Sequence, residues 1–243
     1  MPDFFKAEYD QTGNSKKTNE LGMREMQQIA FGANSAQYLL IKAPPASGKS
    51  RALMFIALEK LRNQGIKKVI VAVPERNIGA SSKDGFFADW SPKPHYNLCT
   101  SGSEKSKVQT FLEFLDSDEQ ILICTHATFR FACAELDEKQ LNDCLIAIDE
   151  FHHVSAEGDN RLGEVMKNIM AKSNGHIIAM TGSYFRGDNV PVLRPEDEIK
   201  FTKVTYNYYQ QLNGYEYLKS LGIGYHFYTG RYFKKPFDKD MSA

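Results

Sequence analysis

Residues 69–73 (VIVAV) leave this chain few ways to fold. A strand shows alternate side chains to opposite faces, so a run that is apolar throughout needs cover on both. A parallel sheet between two helix layers provides it. Tyr38–Lys42 (YLLIK), residues 120–125 (QILICT), residues 145–149 (LIAID) and His176–Thr181 (HIIAMT) read as further strands. Between them lie segments with helical spacing: Lys49–Asn63 (Leu53, Ile56, Ala57, Leu61), 108–115, 127–136 and 162–171. Strands alternating with helices predict an α/β domain of three layers, with a mostly parallel sheet, over about residues 21–190.

Outside that span the texture changes. Residues 1–20 are polar and predict a loose lead-in. Residues 189–198, rich in proline and charge, read as a linker, and the acids and lysine of 195–200 as a solvated charge run rather than a nuclease site. Residues 199–243 are dense in aromatics, from Tyr206, Tyr208 and Tyr209 to Tyr232 and Phe233. A base-stacking platform is one reading. Edge strands whose rings pack on the first domain, or on a second one, are the favoured reading, because Arg and Lys are only lightly interleaved.

The formal net charge is zero, so nucleic-acid contact would need a local face rather than a general basic surface. No apolar run reaches the ~20 residues of a membrane span, and the N-terminus lacks the basic-then-apolar layout of a signal peptide. The expectation is a cytoplasmic protein with no membrane partner. Cys99, Cys124, Cys133 and Cys144 form no CxxC pair and read as reduced, core-packed thiols.

The strongest motif is Ala43-Pro44-Pro45-Ala46-Ser47-Gly48-Lys49-Ser50, between a strand and a helix. It fits a phosphate-binding loop with Ala43 at the usual first glycine. Such a loop turns successive backbone N–H groups toward phosphates, and Gly48 permits close approach. Lys49 would neutralise the β- and γ-phosphates, and the Ser50 hydroxyl would ligate Mg²⁺. The expected ligand is therefore ATP with Mg²⁺. Further on, the apolar strand at 145–149 ends in Asp149-Glu150-Phe151-His152-His153. Strand ends are where an open parallel sheet gathers its ligands. Asp149 is placed to hold Mg²⁺, and Glu150 to orient and deprotonate a water. His152 could reach the motif at 181–183. Adjacent histidines seldom converge on one ion, so metal ligation by His152 and His153 ranks low.

The two motifs together resemble superfamily 2 DExH helicases and translocases, within them the group holding the motor subunits of type I and type III restriction enzymes. Arg24-Glu-Met-Gln27 looks like that family's R-x-x-Q entry motif, whose glutamine reads adenine; an exposed helix residue is the other reading of Gln27. Residues 71–74, ending at Pro74, look like motif Ia, and Thr125 like the strand-end threonine that meets backbone phosphate. Thr181-Gly182-Ser183 looks like motif III, with Ser183-Tyr184 where Thr-Pro is usual. The resemblance implies a RecA-like first motor domain (21–198), coupling through His152, Thr181, Gly182 and Ser183, and a nucleic-acid partner, tilted toward double-stranded DNA. It also implies a second RecA-like domain that completes the ATP site with an arginine. The sixty residues after Ser183 cannot hold a further domain of ~100–150 residues. The expectation is thus a fragment whose residues 199–243 form a connector. A truncated, helicase-like module that binds ATP or nucleic acid without motor activity is the alternative; a small-molecule kinase ranks third.

Overall fold

The computed structural model describes residues 5–8, 19–80, 90, 96–100, 106–151, 161–182, 195–214 and 220–223. In chain order the elements are β1 (Phe5–Glu8), α1 (Glu25–Gly32), β2 (Tyr38–Lys42), α2 (Lys49–Asn63), β3 (Lys68–Val73), α3 (Arg76–Ala80), β4 (Tyr96–Asn97), α4 (Lys107–Asp116) and β5 (Ile121–Thr125). They continue with α5 (His126–Glu135), a 3₁₀ turn (Glu138–Leu141), β6 (Cys144–Ile148), α6 (Arg161–Lys172), β7 (His176–Thr181), α7 (Pro195–Glu198), β8 (Thr202–Thr205), α8 (Tyr208–Gly214) and β9 (Ser220–Ile223).

The chain divides into two compact units, Lys17–Gly214 and a smaller one made of the two chain ends. In the larger unit seven strands lie in the order β4-β5-β3-β6-β7-β2-β8, all parallel. Both faces of the sheet are covered, residue by residue. Leu39, Ile41, Val69, Val71, Leu145, Ala147 and Ile178 point into a core closed by Met26 and Ala30 of α1 and Ala52, Leu53 and Ile56 of α2. Their neighbours Leu40, Ile70, Ala72, Ile146, Ile148 and Ile177 enter a second core with Phe111 and Phe114 of α4, Phe129 of α5 and Met166 and Ile169 of α6. Burying one Leu, Ile or Phe side chain stabilises by about 1.5–3 kcal/mol, and both faces of every central strand contribute.

Cys99, Cys124 and Cys144 are buried and Cys133 half-buried, all as free thiols. Burial pushes Cys133 and Cys144 up to about 12, which keeps them protonated and inert.

Three regions depart from the sequence reading. The lead-in at 1–20 contains a strand, Phe5–Glu8, whose hydrogen-bond partner is the distant antiparallel Ser220–Ile223 in the smaller unit. The charged 195–198 stretch is a helical turn bound to the larger unit: Asp197 is buried and pairs with Lys200 at 3.1 Å, and Glu198 lies 2.6 Å from Lys203 and 3.8 Å from Lys42. Residues 199–214, expected to start a connector, belong to the larger unit, because β8 pairs in parallel with β2 as the sheet's edge and the unit runs on to Gly214. Tyr206 is a buried core residue while Tyr208 and Tyr209 are exposed; the aromatics from Tyr225 on lie outside the described residues.

Candidate ATP and nucleic-acid site

Parallel strands bring their carboxyl ends to one edge, and the motifs sit there because each begins where a strand stops. β2 runs into the phosphate loop, with Ala43 N–H still donating to the Thr181 carbonyl of β7 at 3.0 Å. Ala43 therefore remains in strand register, and the family's first glycine is dispensable here. The left-handed backbone falls later, at Ala46 (φ 60°) and at Gly48 (φ 91°), which caps α2. The left-handed backbone selects glycine at 48, and a Cβ there would come within 2.4 Å of Gln27 Nε2 and displace that amide. The Ser47 hydroxyl is buried and has no hydrogen-bond partner among the described residues.

Lys49 is buried, with Nζ 3.0 Å from the Ala43 carbonyl, 3.3 Å from the Pro44 carbonyl and 3.9 Å from Glu150 Oε1. Glu150 comes from the turn after β6 and has φ 46°, a left-handed conformation that is rare for a side-chain-bearing residue. Its Oε2 accepts a 3.3 Å hydrogen bond from Gly182 N–H, so the acidic strand end and the 181–183 motif are in direct contact. Asp149 keeps the β-register, its N–H on the Ala72 carbonyl, and is buried. Burial first, then the adjacent Glu150 charge, raises its carboxyl to about 6, against the opposing pull of Lys49. A divalent ion would offset that cost. Ser50 and Asp149 offer oxygen donors, the kind Mg²⁺ takes, and the unpartnered Ser47 hydroxyl and the Gly48 cradle suit phosphate oxygens.

Gln27 is helical, as its second reading held, but it is buried rather than exposed. Its Oε1 accepts from Arg24 N–H at 2.8 Å and its Nε2 donates to the Gly48 carbonyl at 3.3 Å, so the entry motif is tied to the phosphate loop. Thr181 is buried at the end of β7. Pro74 directly follows β3, and Val73 is in register with Thr125 on β5, which places both nucleic-acid candidates side by side on the same edge. Thr125 Oγ1 caps α5 by accepting from Thr128 N–H at 3.2 Å. Next to it, His126 Nε2 lies 2.9 Å from the Asp149 carbonyl; since a carbonyl only accepts, that nitrogen carries the proton. His152 and Ser183 lie outside the described residues.

Residues 11–186 match the family described as ResIII, type III restriction enzyme, res subunit. The chain belongs to this family. A Bacillus subtilis (strain 168) protein named "Putative ATP-dependent helicase YeeB" is 61% identical over 238 residues, covering 96% of the chain. The chain spans 40% of that relative's length. Among solved structures, the Pyrococcus furiosus Hef helicase domain superposes with a TM-score of 0.56 at 19% identity, over 79% of this chain and 40% of that one. That likeness shows the fold, a RecA-like α/β domain. No helix among the described residues is long and apolar enough to cross a membrane.

Two residues near the site were given no role in it by the sequence. Gln211 on α8 donates from Nε2 to the Pro45 carbonyl at 3.0 Å, and the Tyr206 hydroxyl lies 3.0 Å from Glu25 Oε2. Both follow the edge strand β8, whose bounds no local pattern gave.

Proposed function

We propose that this chain is the ATP-binding first motor domain of a nucleic-acid-dependent ATPase, a DExH helicase or DNA translocase of the restriction-enzyme kind. The observation that carries the proposal is the meeting of Lys49 and Glu150, from motifs far apart in sequence, 3.9 Å apart at the carboxyl edge of the sheet. Lys49 leaves the Ala43 and Pro44 carbonyls to neutralise the β- and γ-phosphates, with Gly48 and the loop N–H groups around them. Glu150 orients the attacking water and takes its proton. Asp149 and Ser50 hold Mg²⁺, which neutralises charge on the phosphate oxygens. Gln27, beside the loop and Arg24, reads the base. Thr181, Gly182, Ser183 and His152 link nucleotide state to the polymer, which lies along the Pro74–Thr125 edge and is double-stranded DNA. A second RecA-like domain, in cis or in trans, supplies an arginine worth about 10³–10⁵ in rate. The connector toward it starts after Gly214.

The test is ATP hydrolysis by this chain with and without duplex DNA, single-stranded DNA and RNA, beside Glu150→Gln. The account expects ATP binding with slow turnover, raised most by duplex DNA and brought to background by Glu150→Gln without loss of binding. Equal turnover in the mutant would contradict the role of Glu150. Stimulation by RNA alone would reassign the polymer.

A further inference from the structure

A phosphate loop works only if its carbonyls stay outward, leaving the N–H groups for the ligand. Three side chains hold those carbonyls here. Lys49 Nζ takes Ala43 and Pro44, Gln27 Nε2 takes Gly48, and Gln211 Nε2 takes Pro45 at 3.0 Å. They are not equivalent. Lys49 has to leave its carbonyls when phosphates arrive. Gln27 grips the base of the loop, where α2 begins. Gln211 reaches the exposed tip, beside left-handed Ala46. Pro45 has no N–H, so its carbonyl is the one backbone hydrogen-bonding group of that residue.

Gln211 is well placed for the task. It is buried, on a short helix whose start is fixed from several sides. Asn207 and Gln210 exchange reciprocal side-chain to backbone bonds of 2.8 and 2.9 Å. Tyr206 N–H donates to the Lys42 carbonyl at 2.8 Å, continuing the β2–β8 ladder. Its hydroxyl lies 3.0 Å from both Glu25 Oε2 and the Gln210 carbonyl. Residues 206–211 thus touch α1, the end of β2 and the loop tip, and they lie beyond the 11–186 span that matches the family.

We propose that Gln211 is a positioning residue for the phosphate loop, and that through it the segment ending at Gly214 is coupled to nucleotide occupancy of the loop. This rests on the loop being an ATP site, as proposed above. The hydrogen bond to Pro45 keeps the tip in its binding shape once Lys49 has moved to the phosphates. Nucleotide on the loop in turn tightens the segment through which the chain leaves the unit.

The test compares the wild-type chain with Gln211→Met, which keeps size but loses the donor, and Gln211→Glu, which keeps shape but faces the carbonyl with an acceptor. Affinity for a fluorescent ATP analogue with Mg²⁺ should weaken about 3–10-fold in Gln211→Met, the scale of one hydrogen bond. It should weaken further in Gln211→Glu, which also brings a like charge toward the phosphates. Amide exchange at Ala46 and Ser47 should quicken in both variants without nucleotide. In wild type, the analogue should slow exchange across 206–214, and in Gln211→Met it should not. Unchanged affinity and exchange in both variants, beside a wild type that binds, would overturn this inference alone. A wild type that binds no nucleotide would overturn the ATP reading and the coupling with it, while the loop exchange data would still judge the brace.

Discussion

The two edges of the central sheet handle buried polar groups in opposite ways. Where the strands begin, they satisfy one another. Lys60 is fully buried, its Nζ 2.9 Å from the Ala36 carbonyl, 3.2 Å from Gln64 Oε1 and 2.8 Å from His176 Nδ1, while Gln64 Nε2 donates to Asn34 Oδ1 at 2.7 Å. Even the left-handed residue there, Asp143 (φ 56°), has its carboxylate bound by Lys67 at 2.8 Å and Asn174 at 2.9 Å. Where the strands end, left-handed Ala46, Gly48 and Glu150 cluster, and the Ser47 hydroxyl has no partner among the described residues. Strain with internal partners fixes a structure. Strain beside an unpartnered donor and a carboxylate whose charge burial disfavours, as at Asp149, suits a ligand.

This contrast predicts a double dissociation, and its largest stability effect lies at Lys60. Lys60→Met leaves three acceptors without their donor and should cost about 2–4 kcal/mol, read by denaturant unfolding. ATP affinity should stay within about twofold of wild type, because the site is at the far edge. A neutral substitution would mean the network is dispensable.

The same network sharpens the comparison through pH. Burial, and then the Lys60 charge, lowers His176 to about 4 in the folded chain, against 6.5 for a free side chain. Between those values the unfolded state binds more protons, so the His176 contribution to stability is full above 6.5 and is lost as pH falls toward 4. Burial also lowers Lys60 to about 8 from 10.5, so stability should rise with pH across that window. Unfolding midpoints between pH 4 and 7 should show the acid loss in wild type and a flatter profile in His176→Gln. Matching profiles would remove His176 from the account.

Smaller effects separate two glycines at the ligand edge. Gly48→Ala meets both a left-handed backbone and Gln27, and should cost about 1–2 kcal/mol of ATP binding or stability. Gly182→Ala meets Pro45 Cδ only at 3.5 Å, an ordinary contact, and should change either by less than about 0.5 kcal/mol. A reversed order would mean that loop geometry does not limit binding.

What the sequence disclosed follows the same division. Continuous apolar strands betrayed the two covered faces, and the bounds of Tyr38–Lys42, Lys49–Asn63 and His176–Thr181 were legible because period and flanking motif agreed. The phosphate loop and the acidic strand end were legible because their chemistry dictates residue type. The bounds of the edge strand Thr202–Thr205 were not, since its TKVT sequence has one buried residue, Val204, and its place depends on β2. Phe5–Glu8 is likewise defined by a partner far along the chain. Gln211 has no motif of its own and is informative only once β8 brings α8 to the loop.

The most direct test of the ligand edge is equilibrium binding of a fluorescent ATP analogue with Mg²⁺ to this chain, wild type against Lys49→Ala, with unfolding measured on the same samples. The account predicts saturable binding in wild type, its loss by about a hundredfold or more without the lysine's charge-assisted contacts, and an unfolding midpoint little changed. Equal binding by both proteins would contradict it.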